Sequence, residues 1–119
     1  MSGAARSLRA FAIYLGFLAV PLLLAPNPLL GIFGLDATTE VWIRVIGMLT
    51  AFLAVYYWVA AASESVAFFS ATVMCRLAVP VFFVLFVTAG WVRWPLLLFA
   101  GPDVLGALWT WRAVKAAAR

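Results

Sequence analysis

Residues 41–62 read VWIRVIGMLTAFLAVYYWVAAA, an apolar run whose one charged side chain is Arg44. An α-helix needs about 20 residues to cross the roughly 30 Å hydrocarbon core of a bilayer, so a run of this length is sufficient. Runs of similar character occupy residues 8–25, 66–92 and 96–114. We therefore predict an all-α integral membrane protein with four transmembrane helices at these positions.

The composition indicates the same class of protein. The chain has 119 residues, of which 68% are hydrophobic and 10% charged, whereas a soluble domain is about half apolar and about a quarter charged. A water-soluble domain of this size could not bury so much apolar side chain, because much of a small chain stays at its surface. We expect residues 1–119 to form a single transmembrane domain, a four-helix bundle that has the bilayer as its solvent.

The basic side chains indicate the orientation in the membrane. The net charge is +4, and basic residues flank both ends of the chain: Arg6, Arg9, Arg112, Lys115 and Arg119. Basic residues favour the cytoplasmic side of a membrane. We therefore predict that both termini are cytoplasmic, in agreement with an even number of spans. Because the basic residues form no soluble basic face, we expect no nucleic-acid partner.

Two pairs of similar segments suggest an internal repeat. LAVPLLL at residues 18–24 resembles LAVPVFF at 77–83, and RVIGML at 44–49 resembles DVLGAL at 103–108 with the same offset. Self-similarity at a fixed offset is typical of repeated architectures. Both copies would begin on the same side of the membrane, which predicts two tandem parallel helical hairpins related by an axis along the membrane normal. The alternative explanation is that the segments are alike only because both are composed of the same few apolar residue types.

Charged side chains inside the apolar runs are the main candidates for a site. We expect Asp36 to cap the second helix and Pro95 to open the fourth. Arg44 and Asp103 then lie at a similar depth, about 12 Å from these starts. A charge inside a membrane helix is costly unless it is paired. We therefore predict an ion pair between Arg44 and Asp103, with Arg76 as a second basic partner.

This predicted cluster of Arg44, Arg76 and Asp103 has two interpretations. Buried ion pairs can fix the register of a helical bundle without doing chemistry. Intramembrane ionisable residues are also often functional, and two arginines beside one aspartate leave a positive surplus that favours an anion. The sequence thus predicts either a structural ion pair or a site for a lipid or another amphipathic anion. Threonines are lesser candidates for the same cluster: Thr50, Thr72 and Thr110.

Small residues recur at helical spacing in the second and fourth predicted helices. The pairs are Gly47 with Ala51 and Gly106 with Thr110. Small side chains four positions apart let membrane helices approach closely. We predict that these residues pack helices together at the bundle axis.

Several kinds of chemistry have no counterpart in the sequence. It has no histidine, one cysteine and no carboxylate cluster with metal-ligand spacing. We therefore expect no metal, no haem or other cofactor, and no catalytic residues. An enzyme that uses Asp103 as an acid or base is a third hypothesis, which a nearby arginine disfavours because it keeps an aspartate ionised.

The leading functional hypothesis is a small non-enzymatic membrane protein that acts as an accessory or binding component. The alternative is a transporter or channel for protons or small organic anions, formed by an oligomer because four short helices enclose little space alone. The partners expected are membrane lipid together with further copies of the chain or a larger membrane complex.

Three segments carry a resemblance to known proteins: WIRVIGMLTAFLAVYYWVAA, TVMCRLAVP and GPDVLGALWTWRAV. They place an arginine three residues before a glycine and ahead of a tyrosine pair, a second arginine in the third helix and an aspartate in the fourth. In these features the chain resembles small four-helix bacterial membrane proteins of unknown function, among them the BphX-like family associated with aromatic-degradation gene clusters. The resemblance implies a bacterial inner membrane and no defined activity, so it assigns no functional residues.

Overall fold

A computed structural model of the chain describes residues 1–118 and is built from helices. The elements are α1 (Gly3–Leu24), α2 (Pro26–Ile32), α3 (Trp42–Ala62), α4 (Val66–Thr88), a 3-10 helix (Trp94–Phe99) and α5 (Ala100–Ala117). No strand occurs among the described residues, so the prediction of an all-α fold is confirmed. The predicted helices correspond to α1, α3, α4 and α5, with ends that differ by up to several residues.

α1, α3 and α4 are each long and apolar enough to cross a membrane. α5 has 18 residues, which corresponds to about 27 Å, but Asp103, Arg112 and Lys115 make it less apolar than the other three. Many large apolar side chains point out of the bundle, among them Phe52 and Val81, which are 49% and 59% exposed. Such outer faces suit contact with lipid rather than water. By length and composition, therefore, three helices are suited to cross a membrane.

Backbone turns set where α3 and α4 end. After α4, Gly90 adopts a left-handed conformation with φ +79°, and Trp91 donates its amide to the carbonyl of Phe86 at 3.0 Å. This Schellman motif ends the helix, so the helix predicted at residues 66–92 is shorter than expected. α3 ends with the same hydrogen-bonding pattern, but with Glu64 at φ +52° in the position where glycine is usual.

The connection into α3 differs from the prediction. α3 begins at Trp42, without a side-chain cap, and the expected cap at Asp36 is wrong. Asp36 instead lies 3.9 Å from Arg93 in an exposed ion pair. The preceding segment is held by the side chain of Asn27, which donates to the carbonyl of Thr38 at 3.0 Å and accepts from its amide at 2.9 Å. Because α3 begins at Trp42 rather than just after Asp36, each of its residues lies closer to the first turn of the helix than expected.

The long helices run back and forth between two ends of the molecule. At the terminal end, the amide and hydroxyl of Ser2 donate to the carboxylate of Glu64 at 2.8 and 2.6 Å. Ala117 of α5 lines a cavity together with these two residues. At the loop end, the rings of Phe33 and Phe99 are 4.3 Å apart. The N-terminus, the α3–α4 turn and the end of α5 thus meet on one side, and the other two connections meet on the opposite side.

The helices pack as two pairs, α1 with α3 and α4 with α5, and α1 also packs against α5. α3 and α4 follow each other in sequence but make little contact. The axis expected for a tandem repeat would relate the α1–α5 contact to an equivalent contact between α4 and α3. The packing therefore does not confirm the predicted repeat, and the bundle is open between α3 and α4.

The terminal half of the bundle is its closed part. Buried apolar side chains form a core there: Ala4, Ala5, Leu8, Phe11, Ala12, Leu15, Tyr57, Ala60, Ala61 and Phe69. In this half α3 meets α4 through Tyr57 and Phe68, whose rings contact edge to face with centroids 5.4 Å apart. Toward the loop end the same two helices separate, which leaves space inside the bundle.

Candidate functional site: a buried arginine and an apolar cavity

The structure does not bring Arg44 to Asp103. Arg44 lies in the first turn of α3, is exposed, and donates from Nη1 to the carbonyl of Leu23 at the end of α1. Among residues 1–118, the one ion pair within 4.0 Å joins Arg93 and Asp36. The reason is the late start of α3, which places Arg44 at the loop end. There its charge stabilises a carbonyl that a helix end leaves free and complements the negative end of the helix dipole.

Arg76 of α4 is the charged group at the centre of the bundle, with 2% exposure. Its Nη2 donates to Oγ1 of Thr110 at 2.8 Å, and its Nε donates to the carbonyl of Thr72 at 3.3 Å. Its Cζ lies 4.8 Å from the ring centre of Phe11 and 5.6 Å from that of Tyr57. Aromatic faces attract a guanidinium, more strongly when water is excluded. One side chain therefore contacts all four long helices.

A chain of hydroxyl groups continues the hydrogen bonding of Arg76 into α1. The hydroxyl oxygens of Thr110 and Ser7 are 2.6 Å apart, and Ser7 donates to the carbonyl of Ala4 at 2.7 Å. Each hydroxyl has one proton to donate. Thr110 accepts from Arg76, and its own proton has two acceptors in reach, the hydroxyl oxygen of Ser7 and the carbonyl of Gly106 at 3.0 Å. The guanidinium, the two hydroxyl groups and the carbonyl of Ala4 thus form one polar chain from α4 through α5 to α1.

One donor of this guanidinium has no acceptor. Nη1 of Arg76 is buried and lacks a hydrogen-bond partner among the described residues. It approaches α5 beside Gly106, one turn from Asp103 on the same face of that helix. No carboxylate oxygen lies within 4.0 Å of the guanidinium in the described part of the chain, although Asp103 is within electrostatic range. Aromatic faces and hydroxyl groups, rather than a salt bridge, therefore hold this buried charge.

The glycines predicted to pack helices occupy two tight places. A Cβ added to Gly47 would lie 2.9 Å from both Cβ of Leu22 and the amide nitrogen of Leu23, so α1 and α3 approach through their backbones there. A Cβ added to Gly106 would lie 2.9 Å from Nη1 of Arg76. Both glycines therefore allow a close contact that alanine would obstruct, in the way small residues act in membrane bundles.

The other two members of those pairs differ from each other. Thr110 is fully buried and joins three helices through Arg76 and Ser7. Ala51 is half-buried, one turn beyond Gly47 on α3. Thr110 thus acts through its hydroxyl group more than through its small size.

An apolar cavity of about 380 Å³ occupies the loop half of the bundle. Its volume lies within the range of small-molecule pockets, about 300–1,000 Å³. It is lined by α1, α2, α3, α4 and α5 and by their connections: Tyr14, Leu15, Leu18, Leu22, Leu29, Leu30, Leu35, Ile43, Ile46, Thr50, Phe83, Phe86, Leu96, Phe99 and Asp103. The cavity fills the space that opens where α3 and α4 diverge.

The polar groups of the cavity lie together at its deep end. Tyr14, Thr50 and Asp103 are the lining residues farthest from the loop end on α1, α3 and α5. The hydroxyl of Thr50 donates to the carbonyl of Ile46 at 2.8 Å, so it is occupied by its own helix. Asp103 is half-buried. The cavity is therefore an apolar chamber whose deep end carries a carboxyl group.

Sequence reasoning missed the partners that α1 and α3 supply. Ser7, Phe11 and Tyr14 were not among the predicted site residues, and neither was Tyr57. A signal for the first three exists, because positions i, i+4 and i+7 lie on one face of a helix. Tyr57 was recognised only as a feature of a tyrosine pair, and spacing alone does not show that it faces Arg76.

The cavity and the cluster around Arg76 hold no set of metal-ligating side chains. Among residues 1–118, no three histidine, cysteine, aspartate or glutamate residues come together. A lone carboxyl group in an apolar cavity suits the binding of an organic molecule better than the binding of a metal ion, which takes several oxygen ligands.

Comparison with known proteins gives no match: no protein family, no curated protein and no solved structure matches the chain.

Proposed function

We propose that the chain is a small non-enzymatic membrane protein that binds an amphiphile, a membrane lipid or a related molecule, in its apolar cavity. The observation that carries this proposal is the cavity itself. Its lining is almost entirely aliphatic and aromatic, with one carboxyl group at the deep end. An apolar pocket with few polar groups is the usual form of a small-molecule site.

Four spans are the topology that best fits this role. α5 is less apolar than the other helices, but Asp103 faces the cavity and Arg112 and Lys115 lie near the terminal end, where long basic side chains reach the headgroups. α5 runs the full distance between the two ends of the bundle with the preceding 3-10 helix. Its charges are thus placed where a crossing helix tolerates them.

Basic side chains near the terminal end support cytoplasmic termini in a bacterial inner membrane. Arg9 lies over the ring of Trp58 at 4.2 Å, and Lys115 lies over Trp111 at 4.5 Å. Tryptophan and basic residues together favour the headgroup level, and basic residues favour the cytoplasmic side. The assignment to a bacterial inner membrane follows the resemblance proposed from the sequence and stays a prediction.

The buried cluster around Arg76 is assigned a structural role in this proposal. It ties all four long helices together in the terminal half, below the cavity. Of the three residues that were expected to form an anion site, Asp103 lines the cavity, whereas Arg44 and Arg76 are not among its described lining. For the alternative, an oligomeric transporter or channel for protons or small organic anions, the position of the two arginines disfavours the anions as cargo.

Filling the cavity tests the binding role. Leu18→Trp places a larger side chain into the lining, whereas Phe17→Trp changes a neighbouring residue that is 77% exposed. Native mass spectrometry of the detergent-extracted protein should show a retained amphiphile in the wild type and in Phe17→Trp, and its loss in Leu18→Trp. Equal retention in all three proteins would place the ligand elsewhere and overturn the proposal.

A further inference from the structure

We propose that the amphiphile carries a protonated amine, which lies against Asp103 at the deep end of the cavity while its alkyl chain extends toward the loop end. This inference rests on the proposed function and names the chemistry of the ligand's head. The ligand class is therefore a long-chain amine.

The carboxyl group of Asp103 is available to a ligand. No side chain of the described residues forms an ion pair with it within 4.0 Å or donates a hydrogen bond to it. Arg44 is bonded to Leu23 at the loop end. Nη1 of Arg76 has no hydrogen-bond partner among the described residues, but Arg76 lies more than 4.0 Å from the carboxylate and is not among the described lining residues of the cavity. A carboxylate inside a membrane bundle is costly without a partner. Among the described residues that line the cavity, none supplies a cationic partner for this carboxylate.

The charge of the head follows from this carboxyl group. A carboxylate or phosphate head would meet a group of like charge in apolar surroundings, where repulsion is strong. A protonated amine forms a short, charge-assisted hydrogen bond with a carboxylate. The rings of Tyr14 and Phe83 also line the cavity, and aromatic faces attract a cation. Both features favour an amine over an anion.

The polarity of the lining sets the orientation of the ligand. The apolar residues nearest the loop end, such as Leu30 and Leu35, offer no hydrogen-bonding side chain, whereas Asp103 lies at the opposite end of the cavity. An alkyl chain is stabilised by burial among the first group. Because α3 and α4 make little contact with each other, we infer that such a molecule enters between them from the surrounding lipid.

Binding of three matched probes tests the inference: dodecylamine, dodecanol and dodecanoate. The variants are Asp103→Asn and, as a control, Asp36→Asn at an exposed carboxylate outside the cavity. We expect the wild type to bind dodecylamine most tightly. We expect Asp103→Asn to weaken dodecylamine by about tenfold, which corresponds to about 1.4 kcal/mol, and to leave dodecanol unchanged. Asp36→Asn should leave the binding of dodecylamine and of dodecanol unchanged.

Further variants separate the possible failures. Asp103→Glu keeps the carboxyl group and should retain the preference for the amine, which also covers the case in which Asp103→Asn fails to fold. If Asp103→Asn affects all three probes equally, or none of them, the amine assignment is overturned while the cavity remains a binding site. If Leu18→Trp leaves the binding of all three probes unchanged, the proposed function itself fails.

Discussion

Arg76 of α4 and Thr110 of α5 are joined by a hydrogen bond of 2.8 Å from Nη2 to Oγ1, and the two residues are 2% and 0% exposed. The contact is buried inside the bundle, where Phe11 of α1 and Tyr57 of α3 also lie against the guanidinium. Because the guanidinium is stabilised by hydroxyl groups and aromatic rings rather than by a carboxylate, the stability of the bundle depends on neutral neighbours of a buried charge.

Thr110→Val should destabilise the protein by about 1–3 kcal/mol, the usual cost when a buried donor loses its acceptor. Valine has a similar shape, so the loss comes from the hydroxyl group. Thermal unfolding in detergent, followed by circular dichroism, measures the change. Thr110→Ser should retain most of the stability, and Thr88→Val, at an exposed threonine, should have little effect. A loss in Thr110→Val no larger than that in Thr88→Val would contradict the structural role of this contact.

Arg44 and Asp103 should behave as independent sites. The losses caused by Arg44→Gln and Asp103→Asn should add within about 0.5 kcal/mol in the double variant, as for residues that share no partner. Arg76→Gln with Thr110→Val is the reference pair, and its losses should not add because the two side chains are bonded. Strong coupling between Arg44 and Asp103 in a double-mutant cycle would restore the ion pair that the sequence predicted.

Gly47→Ala should destabilise the packing of α1 on α3. The added Cβ meets the backbone of α1 at 2.9 Å, which cannot move as freely as a side-chain end, and crowding of this kind costs about 1–3 kcal/mol. Gly16→Ala is the matched control, since nothing lies within 4 Å of its added Cβ. It should stabilise α1 by about 0.5–1 kcal/mol, because alanine favours a helix over glycine. Opposite signs of the two melting-temperature shifts are the expected result.

Glu64 should contribute stability that depends on pH. The hydroxyl and amide of Ser2 donate to its carboxylate and lower the pKa of Glu64 below its ordinary value of 4.5. Folding therefore favours the ionised form, so the contribution is present above the ordinary pKa and is lost as the pH falls through the lowered one. Glu64→Gln should have a lower melting temperature than the wild type at pH 7, and the difference should shrink at acidic pH. A difference that stays constant down to pH 3 would rule out this linkage.

Cysteine labelling tests the proposed orientation. In a chain with Cys75→Ala, Thr39→Cys reports on the loop end and Ser63→Cys on the terminal end, and both positions are exposed. In intact bacterial cells, a membrane-impermeant maleimide should label Thr39→Cys directly and Ser63→Cys only after the membrane is permeabilised. The reverse pattern would place the termini outside.

Much of the local structure could be predicted from the apolar runs. A helix that crosses a membrane must satisfy its own backbone hydrogen bonds, so length and composition located α1, α3 and α4 closely. The ends were less predictable. Glu64 adopts a backbone conformation that usually requires glycine, and Asp36 looks like a cap but pairs with Arg93.

The candidate site was predicted in its residue types but not in its pairings. Arg76, Thr110 and Gly106 do meet inside the bundle, and each is visible in the sequence as a residue that membrane helices place inward. Arg44 was assigned to the same cluster because its depth was counted from a helix start that lies elsewhere. When the predicted first residue of a helix is wrong by a few positions, the expected position of a side chain shifts along the helix axis and also rotates around it.

The sequence by itself determined that the chain contains apolar helices long enough to cross a membrane, because the cost of burying backbone and charge in lipid acts on each segment separately. The tertiary structure alone decided that Arg76 meets Phe11, Tyr57 and Thr110 and that Asp103 faces an apolar cavity. These contacts depend on how four helices are rotated and spaced against one another. No single segment carries that information, since it comes from the packing of all of them together.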